Sequence, residues 1–265
     1  MHKKIISLIK TGFKEAVAYR FHFYVSLLTS PLQLLIYYFL WKAIFSYSGQ
    51  EIIRGFTLDG IIAYYALNMI VSFFTWSNID DRIEGQVRGG HMVNDLLKPF
   101  KTIYIYFFNN LGVSLLSIIL ETIPLFLLGM IFFKLELAPL FYFAMFFASI
   151  VFALILNFLI SYLVGMTAFW FNMISGIRKV KRVLIAFLSG GMIPLTFFPE
   201  TFQKIFSYLP FQYMRFVPIN VYLEKYAYTT VFVMTGIQVL WILGLYFIAE
   251  FFWKKAFKKF AGAGI

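Results

Sequence analysis

The chain has 265 residues, of which 61% are hydrophobic, 22% aromatic and only 13% charged, and its mean hydropathy is +0.81. A soluble domain carries about 25% charge, so this composition is that of a membrane protein. The formal charge of +11 suits basic loops on the cytoplasmic side of a membrane better than a nucleic-acid partner, and the lack of cysteine excludes disulfides, thiolate metal sites and cysteine nucleophiles.

Residues 3–20 read as an interfacial amphipathic helix. At ~100° per residue, Ile5, Ile6, Ile9, Phe13, Ala16 and Val17 share one arc and Lys3, Lys4, Ser7, Lys10, Thr11, Lys14 and Glu15 the other, with Leu8 as the exception. Such a helix buries its apolar arc at the lipid boundary and turns its lysines to anionic headgroups. The stretch has no uninterrupted apolar run with a small-residue site after it, so it does not read as a cleavable signal.

Six apolar spans follow, judged against ~20 residues per helical crossing: 23–45, 61–77, 103–133, 137–171, 183–198 and 230–253. Pro31 and Pro124 predict kinks in the first and third. The fifth is short, contains Gly190, Gly191 and Pro194, and follows the basic cluster Arg178, Lys179, Lys181 and Arg182. With the N terminus inside, only Lys42, Arg54, Lys134, Lys204, Arg215 and Lys225 among the basic residues fall outside, which places both termini in the cytoplasm. Trp41, Trp76, Trp170 and Trp253 lie near span ends, as interfacial anchors do.

Between spans two and three, residues 78–101 form the longest polar passage, with four acids, four bases and the spaced apolar set Ile83, Val87, Val93, Leu96 and Leu97. A loop that only reversed the chain could be far shorter. The pattern predicts an amphipathic helix over 79–100, a contact surface for a separate soluble engine, with Asp80 and Asp81 as complementary charge at its start. Glu84, Arg88 and Asp95 are its candidate contact residues, and Gly89 and Gly90 supply backbone freedom. Between spans five and six, residues 199–228 are too apolar for an open loop and too charged for a crossing. They read as two short helices dipping into the outer leaflet, broken at Pro210.

Chemistry-bearing motifs are sparse. No G-x-x-x-x-G-K-[ST], H-E-x-x-H or G-x-S-x-G occurs, and His2, His22 and His91 have no ligand spacing, so no catalytic, cofactor-binding or metal residues are expected. Glu121 is the one acid deep in a span, where an ionisable group costs ~2.5–3.5 kcal/mol. It is either a pathway or proton-relay residue or a buried anchor near Pro124, and Asn109, Asn110, Asn157 and Asn172 carry the same ambiguity.

Several pieces in this order resemble the permease subunits of ABC-2 type ATP-binding-cassette exporters, in their compact bacterial branch. They are Ala18-Tyr19-Arg20, Val87-Arg88-Gly89-Gly90 followed by Leu96-Leu97-Lys98-Pro99, Ala168-Phe169-Trp170, Ser189-Gly190-Gly191-Met192-Ile193-Pro194 running into Phe197-Phe198-Pro199, and Leu209-Pro210-Phe211. The resemblance covers nearly the whole chain. It implies an all-α polytopic membrane protein, one permease domain over 1–265, with six transmembrane helices, an N-terminal interfacial helix, a coupling helix between helices 2 and 3, and re-entrant helices between helices 5 and 6. It further implies a bacterial inner-membrane transport subunit that is not itself an enzyme. Its partners would be a cytoplasmic ABC ATPase, a second permease as homodimer or paralogous heterodimer, and membrane lipids, with no cofactor of its own. Export of a lipid, glycan, peptide or hydrophobic drug is the family expectation. A lipid-acting membrane enzyme would need a convergent acid, base or metal set, and a secondary transporter would show inverted repeats; neither is evident.

Overall fold

A computed structural model describes residues 2–18, 20–132, 135–171 and 173–262. Tyr19, Phe133, Lys134 and Asn172 lie outside the described residues, as do the side chains of Lys3 and Arg20. The helices are α1 (His2–Ala18), α2 (Arg20–Ser48), α3 (Leu58–Phe74), α4 (Ile79–Arg88), α5 (Met92–Leu96), α6 (Thr102–Ser117), α7 (Ile123–Phe132), α8 (Leu140–Met166), α9 (Ser175–Leu188), α10 (Glu200–Ser207), α11 (Phe216–Tyr222) and α12 (Tyr228–Gly262). No strand occurs among the described residues. Four stretches there are long and apolar enough to cross a membrane: Leu58–Arg88, Thr102–Ile131, Leu140–Phe169 and Tyr228–Lys259.

Helix α3 is the centre of the bundle. Its residues from Ile61 through Val71 are all buried, the condition of a helix that is apolar all round, with α2, α6, α7 and α11 packed about it. Helix α8 packs in turn on α4, α11 and α12. A buried amide in the first third of α12 fixes that last contact: Gln238 donates to the carbonyls of Ser149, at 2.8 Å, and Tyr213, at 3.0 Å, and accepts from the Ser149 hydroxyl at 3.0 Å.

Two local irregularities follow from prolines and glycines. Pro124 has no N–H to offer the carbonyl of Leu120, and the helix widens into a π-turn over Ile118–Thr122 between α6 and α7. At its other end, α9 stops after 14 residues, where Gly190 takes a left-handed φ of +79°, the usual way to end a helix. The carbonyls freed there would be orphaned in an apolar bundle. Side chains of α3 take them up: Tyr64 donates to Gly190 O at 2.7 Å, Asn68 to Gly191 O at 2.9 Å and Tyr65 to Met192 O at 3.0 Å.

Two sequence expectations need redrawing. The basic cluster at 178–182 does not precede the fifth helix but lies inside α9, which starts at Ser175, because α4 supplies counter-charges to that turn. The expected helix over 79–100 is two helices, α4 and α5, separated by a turn at 89–91. Helix α1, expected at the lipid boundary, packs along α6. Its backbone approaches so closely that a methyl at Gly12 would fall 2.0 Å from Asn109 O, and one at Gly112 would fall 2.1 Å from Ile9 O. Ala16 and Leu116 form a small core there, while Ile6 and Val17 remain exposed. The segment 199–228 folds as α10, a 3-10 turn opening at Pro210 and a fully buried α11.

Replacing Asn68 with Leu keeps the volume of α3 but strips the donor from Gly191. An unsatisfied buried carbonyl costs about 1–3 kcal/mol, so Asn68→Leu is expected to lower the aggregation temperature of the detergent-solubilised protein more than Met69→Leu does on the same helix.

Candidate functional site

The functional candidate is the base of the bundle, built on α4. Asp80 and Asp81 occupy its first turn and Arg88 its last, each charge complementing the helix dipole at its end. The helix lies hard against α8: a methyl added at Gly165 would come within 2.8 Å of Ile83 Cδ1 and 3.0 Å of Asp80 Cα. Ile79 and Ile83 are buried, and so are Asp80 and Glu84. Two of the three acids of α4, Asp80 and Glu84, therefore point inward, while Asp81 is exposed.

Their partners lie on α9. Lys181 Nζ sits 2.7 Å from Asp80 Oδ2 and donates to the Ser161 hydroxyl of α8 at 2.9 Å. Both side chains are less than a tenth exposed, so neither charge has water to fall back on. Arg178 bridges two acids, donating to Asp81 and lying 2.8 Å from Glu84 Oε2, the latter a coulombic contact rather than an aligned hydrogen bond. The other oxygen of Glu84 accepts the Ile174 N–H at 3.1 Å. On the opposite flank of α4, Arg82 lies 2.6 Å from Glu15 of α1 and donates to Asn109 of α6 at 2.5 Å. One ten-residue helix is thus tied by ion pairs to α1 and α9 and by a hydrogen bond to α6.

The turn after α4 is left outside this lattice. Arg88 is mostly exposed and stands 3.9 Å from Glu84, Gly89 and Gly90 are exposed, and Gly90 holds a left-handed φ of +69°. Asp95, in α5, is buried; it accepts from Lys98 at 2.6 Å and from the Tyr106 hydroxyl at 2.8 Å. Beyond it Lys101 pairs with Glu250 of α12 at 3.0 Å, and that hydrogen bond raises the pKa of its ammonium. Of the residues picked for outside contact, then, Arg88, Gly89 and Gly90 share one exposed turn, while Glu84 and Asp95 face inward on separate partners.

Glu121 belongs to a different cluster. It is buried in the π-turn, where the hydroxyls of Ser26 and Ser117 donate to its two oxygens, the second at 2.5 Å. Ser117 is also 3.1 Å from Phe73 O, so the carboxylate joins α2, α3 and α6. A polar cavity of about 390 Å³ opens between α3, α4, α8 and α9, with Asn78, Asp80, Asn157, Arg178 and Arg215 in its wall. No three His, Cys, Asp or Glu among the described residues are grouped to hold a metal.

Residues 32–264 match the family described as ABC-2 family transporter protein. The chain belongs to that family. No curated protein matches it. As an ABC-2 transporter it is a multi-pass membrane protein and the transmembrane subunit of an ABC transporter, a transport component rather than an enzyme, working with an ABC ATPase. The matched region begins within α2 and takes in α4, α9 and the cavity between them.

Sequence reading missed Arg178 and Lys181 as partners of α4, treating them as part of a solvated basic cluster. The available signal was spacing: acids at 80, 81 and 84 and bases at 178 and 181 each line one helical face. Removing one member of a buried pair strands the other charge and costs about 3–5 kcal/mol. Lys181→Met is therefore expected to cut the yield of folded protein sharply, and adding Asp80→Leu should recover most of it. Size-exclusion profiles of the single and double variants in detergent read this out.

Proposed function

We propose that this ABC-2 transporter subunit is the permease of an exporter in the bacterial inner membrane, with six transmembrane helices, both termini in the cytoplasm, and a second permease copy, identical or paralogous, beside it. In this reading α1 lies at the cytoplasmic interface, α4 and α5 are the coupling element between the second and third transmembrane helices, and α10 and α11 form a re-entrant pair on the outer side. A cytoplasmic ATPase supplies the work, and the exported molecule is a lipid, glycan, peptide or hydrophobic drug. The exposed turn Arg88-Gly89-Gly90, at the end of a helix otherwise locked to three neighbours, is the observation that carries the proposal.

The mechanism follows from how that helix is held. Force applied to the exposed turn cannot be absorbed by α4 bending away, because Asp80, Asp81 and Glu84 are paired with α9 and Arg82 with α1 and α6. The push passes to α9 as a unit. Helix α9 is in turn hydrogen-bonded at its far end to α3, through Tyr64, Tyr65 and Asn68, so closure of the ATPase pair moves the core of the bundle. Arg88 makes the contact with the ATPase, Gly89 and Gly90 shape the turn, and Glu84 and Asp95 hold the element in place from within. Glu121 acts as a buried anchor joining α2, α3 and α6.

Reversing the exposed charge separates contact from folding. Losing one partner of a charge-assisted pair at an interface costs ~2–5 kcal/mol, so Arg88→Glu is expected to insert and extract normally, to recover much less ATPase on co-purification and to transport nothing. Undiminished ATPase recovery and transport would reject Arg88 as the contact.

Orientation is tested independently, and the cysteine-free sequence makes the labelling clean. Single cysteines at Ser48 and Thr201 should react with an impermeant maleimide added outside intact cells, and those at Gln86 and Gly262 only after lysis. External labelling at 86 would invert the topology.

A further inference from the structure

The cavity at the base of the bundle has an unbalanced charge. Four basic residues line it, Arg178, Lys181, Arg182 and Arg215, against two acids, Asp80 and Asp81. Lys181 is spent on Asp80, and Arg178 on Asp81 and Glu84. Arg182 and Arg215 have no carboxylate within ion-pair distance among the described residues.

Their positions differ in depth. Arg182 is exposed, four residues beyond Arg178 on α9. Arg215 stands opposite Asn68, to whose oxygen it donates at 3.4 Å. Asn68 lies six residues before the Phe74 end of α3, about 9 Å up the helix at 1.5 Å per residue. Arg215 therefore holds its charge well inside the bundle, with one weak hydrogen bond for a guanidinium that carries five N–H donors. A cation kept at such depth without a counter-charge is a site for something that brings one, and the planar fork suits phosphate and carboxylate oxygens. Beside the cavity, Val180, Val183, Leu184 and Phe187 leave α9 with an exposed apolar flank on which a hydrocarbon chain attached to that anion could lie.

We infer that this cavity binds an anionic group, a phosphate or carboxylate, of the transported molecule, received by Arg182 at its mouth and held by Arg215 at its inner end. The inference rests on the transporter reading and narrows it: the cargo carries a negative headgroup. Asp80 does not oppose it, since Lys181 is paired with that carboxylate, and Asp81, which shares Arg178 with Glu84, is exposed to solvent that screens its charge.

The test is direct binding to the full chain reconstituted in phosphatidylcholine nanodiscs, without any ATPase, so that it stands apart from the coupling experiment. Fluorescent short-chain phosphatidic acid and phosphatidylcholine are the probes, and inorganic phosphate is the competitor. Phosphatidic acid should bind in preference to phosphatidylcholine. Arg182→Gln and Arg215→Gln should each weaken it about tenfold or more, the effect of one charge-assisted hydrogen bond, whereas Lys204→Gln, exposed on α10, should change nothing. Displacement by inorganic phosphate at concentrations near those of the lipid assigns the site to a soluble anion, and failure to displace assigns it to a lipid headgroup. Equal binding of the two lipids, or unchanged affinity in both arginine variants, overturns the proposal. Should Arg215→Gln fail to fold, Arg182→Gln decides alone, because that side chain is exposed and bears no packing.

Discussion

The ion pair between Asp80 and Lys181 is the contact on which the base of the molecule depends. Two charges that are both almost wholly buried contribute little net stability, since desolvation offsets much of their attraction. What the pair fixes is position. With Lys181 also donating to Ser161, the ammonium is shared among α4, α8 and α9, and only one rotation of each helix lets all three groups meet. Sliding α9 by one residue would carry Lys181 about 100° round the helix and leave Asp80 bare. Arg178 repeats the constraint one turn earlier.

The upper end of α9 is governed by the same demand, that buried polar groups find partners within the protein. The helix stops after 14 residues and turns at Gly190, which leaves carbonyls buried away from water. Tyr64, Tyr65 and Asn68 supply the donors. Helix α9 is therefore charged at its lower end and hydrogen-bonded at its upper end, with nothing but apolar packing between, so it behaves as a strut between α4 and α3. Asn68 connects this frame to Arg215, which it also accepts from.

Periodicity and composition were enough to read a helical membrane protein, to locate the polar loop at 78–101 and to mark the break at Pro210, because each of these is local; the span read at 183–198 instead ends at Leu188. The partners of buried charges were not legible. Asp80 and Lys181 are a hundred positions apart, and a carboxylate that faces a solvent-exposed groove has the same letter as one that faces a lysine. Glu84 and Asp95 looked like contact residues for that reason and prove to be internal. Similarly, the basic run at 178–182 obeyed the rule for cytoplasmic loops while serving as the lower half of a helix. The tyrosines of α3 were hidden by chemistry as well: in a chain with 17 Tyr, hydroxyls that cap a broken helix look like any other aromatic filler.

The close seam between α1 and α6 has a bearing on how the molecule is made. Gly12 lies against the backbone of Asn109 and Gly112 against that of Ile9, yet the two helices are separated by roughly a hundred residues of chain, which takes several seconds to synthesise. Through that interval the groove that receives α1 does not exist. A helix with lysines on one side and isoleucines on the other has a temporary host in the membrane surface, and it can wait there, close to the insertion site, until α6 emerges beside it. The amphipathic pattern of α1 is then an instruction for biogenesis, while its glycine is the instruction for the finished seam, and the two messages are written on the same seventeen residues.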